Sequence, residues 1–176
     1  MRRFILTGAP GSGKTSLIEI LRGRGYAVVD EAATDVIAAE HARGVDEPWR
    51  DPLFIDKIVE LQRARQLATD GEVQFHDRSP VCTLALARYT GHQPSAVLAA
   101  ELARIVGGGI YEREVFFVRP LGFLEPTAAR RISYEDSLLF EKVHEAEYTA
   151  LGFRLVDIPA MEPEDRTDLI ESYIWA

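Results

Sequence analysis

Eight residues near the start of the chain restrict its fold more than any other feature. Gly8-Ala9-Pro10-Gly11-Ser12-Gly13-Lys14-Thr15 satisfies G-x-x-x-x-G-K-[ST] at every fixed position. It stands between an apolar run, Arg3 to Thr7, and a stretch from Lys14 to Arg24 in which Leu17, Ile18 and Leu21 share a helical face. A strand entering the motif and a helix leaving it are what a phosphate cradle requires. The glycines let the backbone turn tightly, so that N–H groups at the helix start point at negative charge. Lys14 is expected to reach the β- and γ-phosphates of a nucleotide and Thr15 to offer a hydroxyl to Mg²⁺. The phosphate-binding set then runs from Gly8 through Ser16. ATP is the expected nucleotide; GTP stays open, although no Asn/Thr-Lys-x-Asp guanine signature occurs.

The rest of the chain repeats the strand-then-helix alternation. Strands are expected at Tyr26 to Asp30, Val73 to Asp77, Glu114 to Arg119 and Phe153 to Ile158. Asp51-Pro52 is expected to cap and open a helix carrying Phe54, Ile58 and Leu61, which Thr69-Asp70-Gly71 ends. Ser79-Pro80 opens another, to about Tyr89. Leu98, Leu102 and Ile105 mark a further helix, stopped by Gly107-Gly108-Gly109. Leu139, Val143, Ala146 and Ala150 place a helix from about Ser133 to Leu151, and Leu169, Ile170, Tyr173 and Ile174 mark the last. Parallel strands need crossover connections, so this alternation predicts an α/β fold in three layers, a five-stranded, mostly parallel sheet covered by helices on both faces. With 176 residues, 47% of them hydrophobic, residues 1–176 are expected to form a single domain.

Ligands of such sheets lie beyond the carboxyl ends of the strands. Asp77, after Val73-Gln74-Phe75-His76, is the candidate that orients the waters of Mg²⁺, since Ser79 serves better as the cap of the following helix. Asp30-Glu31 ends the second strand, and Glu31 is the candidate base for an acceptor hydroxyl. Arg119 ends the fourth strand. Trp49 lies where an aromatic could stack on an acceptor or pack in the core. Arg63 and Arg65 could meet an anionic acceptor or form a solvated face.

With these residues in view, the chain resembles the P-loop kinases of nucleosides and nucleotides. Within the wider set it is similar to AAA-type NTPase domains such as the ribosylnicotinamide kinase part of a bacterial NAD-biosynthesis regulator. The resemblance rests on the phosphate loop, on Val29-Asp30-Glu31-Ala32-Ala33, on Asp77-Arg78-Ser79 and on a basic segment after the fourth strand. It implies that Glu31 acts as base, that Arg78 stabilises charge on the phosphates or acceptor, and that a lid at about residues 120–132 carries Arg130 and Arg131. It also implies that Ile158-Pro159-Ala160-Met161 forms a wall beside the nucleotide base. No monophosphate-binding pattern of the adenylate or thymidylate kinase type is found. Two function classes follow: a phosphotransferase acting on a small, nucleoside-like acceptor, or a regulatory NTPase that switches a protein partner.

Composition excludes other classes. There are 20 basic and 28 acidic residues, a formal charge of −8 and a pI near 5.1. That is the wrong sign for a surface that neutralises nucleic-acid phosphates. A single cysteine, Cys82, rules out an internal disulfide and a Cys-rich zinc site, and it sits in an apolar run that suits packing. His41, His76, His92 and His144 are scattered, without a metal-ligand spacing. Arg2-Arg3 precede only Phe4-Ile5-Leu6 before a glycine, too short for a signal h-region, and no stretch approaches the ~20 apolar residues of a membrane span. A cytoplasmic protein is expected, without a membrane or nucleic-acid partner.

Overall fold

In the computed structural model, which describes residues 1–121 and 133–175, five strands alternate with seven α-helices. Strand β1 is Arg2–Thr7, followed by α1 (Lys14–Gly23), β2 (Ala27–Val29) and α2 (Ala32–Ala42). A 3₁₀ turn at Pro48–Arg50 leads to α3 (Phe54–Ala68), β3 (Val73–Asp77), α4 (Pro80–Tyr89) and α5 (Ala96–Gly107). Then come β4 (Glu114–Val118), α6 (Tyr134–Ala150), β5 (Arg154–Ile158) and α7 (Pro163–Ile174). The lid expected at about 120–132, with Arg130 and Arg131, lies outside the described residues apart from Pro120 and Leu121.

All strand pairs are parallel, in the order β2-β3-β1-β4-β5. The hydrophobic pattern of β1 explains its central place. Phe4 and Leu6 face one layer and Ile5 the other, all at most 2% exposed, as two-sided burial of a parallel strand demands. On one face Phe4, Leu6, Phe75 and Phe116 pack against Leu17, Ile18 and Leu21 of α1 and Ile170 and Ile174 of α7. On the other, Ile5 and Val115 pack with Val81, Leu84, Leu98 and Tyr148 from α4, α5 and α6. The register sets Leu6 beside Asp77 and Thr7 beside Phe117. The loop after β1 is therefore flanked by the ends of β3 and β4, where Arg78 N–H donates to the Leu6 carbonyl at 2.9 Å.

Three expectations need correction. Helix α2 is absent from the sequence reading: its alanines surround the axis, so no clean stripe announces it, yet alanine is the best helix former and Gly44, at φ +83°, ends it. Asp51-Pro52 does not cap α3. Asp51 instead forms an Asx-type turn, its Oδ1 accepting from Leu53 N–H at 2.9 Å, and the helix begins at Phe54. In α6 the buried face is not Leu139, Val143, Ala146 and Ala150. Leu139 is 54% exposed, whereas Phe140, Glu141, His144 and Tyr148 are buried. The inner face of α6 is polar because it serves the site described next. Its start is as expected: Ser133 Oγ accepts from Asp136 N–H at 3.0 Å.

Candidate active site

The turn from β1 into α1 builds the first wall of the site. Gly8 has φ +143°, and a Cβ there would stand 2.3 Å from the Val118 carbonyl oxygen, so no other residue fits without moving β4. Gly13, at φ +90°, occupies the N-cap of α1 in a left-handed conformation that directs the chain into the helix. Lys14 is 7% exposed, and its Nζ donates to the carbonyls of Gly8 (3.3 Å) and Ala9 (3.2 Å) and to Ser12 Oγ (3.4 Å). Burial, helped by repulsion from Arg78, pushes this amine down to about 8 despite attraction from Asp77 and Glu31. Thr15 and Ser16 present exposed side chains to the same space.

The ends of β2 and β3 supply the facing wall. Lys14, Glu31, Asp77 and Arg78 line one cavity of about 1150 Å³. Glu31 Oε1 lies 2.6 Å from Arg78 Nε, and its Oε2 accepts from Thr34 Oγ1 at 3.1 Å. Burial raises the Glu31 carboxyl, but Arg78 and Lys14 together outweigh it and hold the group below its ordinary range. Asp30, the other carboxylate considered for this end, turns away to Arg22 at 2.5 Å. Asp77 differs from both. Its Oδ1 is buried with no hydrogen-bond partner among the described residues, and burial, with repulsion from Glu31, pushes its carboxyl up against the pull of Lys14 and Arg78. An orphaned carboxylate oxygen in the same cavity as an exposed Thr15 hydroxyl is the donor set expected for the waters and inner ligand of Mg²⁺.

Arg78 is held by more than Glu31. It is the one positive-φ residue other than glycine among those described, at φ +72°, a conformation costing about 1–2 kcal/mol that persists where surrounding contacts fix it. Its Nη1 lies 3.4 Å from the Gly8 carbonyl and 3.4 Å from His144 Nε2. His144 is fully buried, and its Nδ1 is 2.8 Å from the Phe140 carbonyl. The carbonyl can only accept, so Nδ1 carries the proton and Nε2 is free to accept from Arg78. Burial and the Arg78 charge push this imidazole down to about 3, so it is neutral at physiological pH. Arg78 thus forms an ion pair with Glu31 at the edge of the phosphate loop.

Other sequence candidates separate. Arg119 is engaged by Glu141 (2.7 Å), Glu145 (2.5 Å) and Asp157 (2.6 Å) and stacks on Phe117, so it is a structural cation and not a free phosphate ligand. Arg65 is not a solvated residue. Its Nη1 donates to the carbonyls of Asp30 and Glu31, both at 2.9 Å, and its Nη2 pairs with Asp35, which fixes the backbone that carries Glu31. Arg63 approaches Glu101 at 3.9 Å, with most of its side chain exposed. Trp49 lines the large cavity at 36% exposure. Cys82 is buried, touching Thr7 Oγ1 (3.2 Å) and Tyr148 OH (3.1 Å). No cluster of metal-ligating side chains occurs among the described residues.

Arg166 is a component that sequence reasoning missed. Though 2% exposed, it makes its hydrogen bonds among the described residues to backbone: Nη1 to Ser12 O (2.7 Å), Nε to Pro159 O (2.7 Å) and Nη2 to Arg119 O (3.0 Å). It ties the phosphate loop to the ends of β4 and β5. A second cavity, about 390 Å³, lies beside it between Gly13, Leu17, Leu121 and Ala160-Met161. The signal was legible: Arg166 stands four residues before buried Ile170 on the inner stripe of α7.

Residues 3–166 match a family described as AAA domain. The chain belongs to that family. A search of curated protein sequences finds no match. Among solved structures, this AAA domain is similar to deoxyadenosine kinase from M. mycoides with bound dATP, at TM-score 0.61 and 13% identity over 100% of both chains. It is also similar to shikimate kinase from Aquifex aeolicus, at TM-score 0.60 and 12% identity, covering 98% of this chain and 95% of that one. The fold is therefore that of the P-loop kinases. These matches do not test the resemblance to the NAD-biosynthesis regulator. No helix among the described residues is long and apolar enough to cross a membrane.

Proposed function

We propose that this AAA domain is a phosphotransferase that moves the γ-phosphoryl of Mg·ATP to a small nucleoside- or nucleotide-like acceptor. The observation that carries the reading is the convergence of Lys14, Glu31, Asp77 and Arg78 on one cavity at the carboxyl edge of the sheet. Loop N–H groups and Lys14 hold the phosphates; in doing so Lys14 exchanges the carbonyls of Gly8 and Ala9 for phosphate oxygens. Thr15 and the unpartnered Asp77 oxygen are the residues that would hold the hydrated Mg²⁺. When bound, that ion would supply neutralisation of the charge that develops on the phosphates. Glu31 accepts the acceptor's hydroxyl proton as the new O–P bond forms and the bond to ADP breaks. Arg78 stabilises charge on the transferred group.

The second cavity beside Arg166 and Ala160-Met161 suits the nucleotide base. Arg130 and Arg131 keep their proposed lid role, and a cytoplasmic location, where ATP and Mg²⁺ are abundant, fits the chemistry. Support for the acceptor class comes from the fold of deoxyadenosine kinase, with shikimate kinase marking a second class that the same fold serves. The test is ADP formation from Mg·ATP by wild type and Lys14→Ala, with and without nucleosides, nucleotides and nicotinamide riboside. Acceptor-dependent ADP formation that disappears in the variant is expected. ATP binding that no acceptor converts to turnover would overturn the reading in favour of a regulatory NTPase.

A further inference from the structure

The cavity that holds Glu31 and Arg78 extends well past the phosphate loop, and the charge of its wall discriminates between acceptors. Among the described residues, the lysine and arginine that line it are Lys14 and Arg78, both at the phosphate end; His41 lines it as well, with its Nε2 3.2 Å from the Asp46 carbonyl. Lys14 belongs to the loop, and Arg78 is already matched by Glu31. The carboxylates that line it are Glu31, Asp77 and Glu47. Beyond the loop the wall comes from α2, the Pro48–Arg50 turn, α3 and α4. The lysine and arginine side chains of those elements turn elsewhere: Arg50 to Glu47 (2.9 Å), Lys57 to Asp51 (2.8 Å) and Glu40 (3.2 Å), Arg63 to Glu101 (3.9 Å), Arg65 to Asp35, and Arg88 to Glu147 (3.5 Å). None of these five lines the cavity.

An acceptor with a phosphate or carboxylate buried there would lose hydration and gain no lysine or arginine partner from the described residues beyond the phosphate end. An uncharged acceptor meets better chemistry. Thr83 Oγ1 donates to Gln62 Oε1 at 3.0 Å, which orients the amide, and no described residue accepts from the Gln62 NH₂ group. Gln62 and Thr83 are buried and line the cavity, while Trp49 and Phe54 supply aromatic wall. We infer that the acceptor is an uncharged or cationic alcohol bearing a flat ring with a hydrogen-bond acceptor for Gln62, and that anionic acceptors are rejected. This inference rests on the phosphotransfer reading for its chemistry, though not for its binding.

The experiment compares matched probes: adenosine with AMP, deoxyadenosine with dAMP, cytidine with CMP, and shikimate as a carboxylate. Binding is measured by calorimetry in the presence of Mg·ADP, and transfer by ADP formation from Mg·ATP. The result expected is binding and kcat/KM at least about 100-fold better for the preferred nucleoside than for its monophosphate, and no shikimate use. Gln62→Leu should weaken binding of that nucleoside about tenfold or more and leave Mg·ATP affinity unchanged. Nucleoside binding without transfer would sink the phosphotransfer reading and leave this inference standing. Transfer to monophosphates or shikimate in preference to nucleosides would do the reverse. If no probe binds or reacts, both fail.

Discussion

Lys14 carries a charge into a buried position, and the consequence is a pH dependence of definite sign. Its amine titrates near 8 in the folded chain against 10.5 for an ordinary lysine, chiefly through burial. The unfolded chain thus binds more protons between those values, and the ligand-free fold gains stability from this group as pH rises through that window. Phosphate binding requires the protonated amine. ATP affinity is predicted to hold below pH 8 and to fall above it, by up to about tenfold per pH unit; calorimetry at pH 7, 8 and 9 checks this, and flat affinity would contradict it. Asp77 gives a second expectation. Because its Oδ1 has no protein partner, Asp77→Asn should weaken the apparent Mg²⁺ affinity about 10–100-fold while Mg²⁺-free nucleotide binding persists. An unchanged Mg²⁺ titration would remove Asp77 from the metal site. At this scale Gly8 to Thr15, Glu31, Asp77 and Arg78 were legible in the sequence because each ends a strand at the ligand edge. Gln62 and His144 were not, because polar residues on the inner stripe of a helix look like interruptions of its pattern.

Helix α6 shows most clearly how an element's role can be hidden by its apolar spacing. Its Leu139, Val143, Ala146 and Ala150 fit a helical face, but the face that docks on α4 carries His144 and Tyr148. Tyr148 OH bonds Ser79 Oγ at 2.7 Å, and His144 reaches Arg78. Both anchor the turn between β3 and α4. His144 is therefore a positioning residue for Arg78, whose Nη1 it meets at 3.4 Å. His144→Phe keeps the ring against Phe140, 4.3 Å away, and removes the acceptor. An unsatisfied Arg78 donor costs about 1–3 kcal/mol. Turnover is predicted to fall about tenfold or more with ATP affinity within about threefold of wild type, and His144→Gln, which retains an acceptor, should recover part of it. Equal losses in both variants, or a parallel loss of ATP affinity, would point to a packing role alone. Helix α2 was hidden for the opposite reason, apolar residues around its whole circumference.

Across the whole molecule, alternation of strands and helices was enough to predict a parallel three-layered sheet, since the chemistry of crossovers leaves few alternatives. The order β2-β3-β1-β4-β5 was not legible, because it depends on which buried strands pair, and their apolar runs are interchangeable. That order places β1 between β3 and β4 and brings Asp77-Arg78 against the phosphate loop, with Glu31 reaching in from β2. The carboxylate and guanidinium that meet there are the centre of the proposed chemistry. Glu31→Gln tests it most directly, with ATP affinity and acceptor-dependent ADP formation measured side by side. The account predicts ATP affinity within about threefold of wild type and turnover reduced by about 10²–10⁴. Turnover equal to wild type would contradict it and return Glu31 to a structural partner of Arg78.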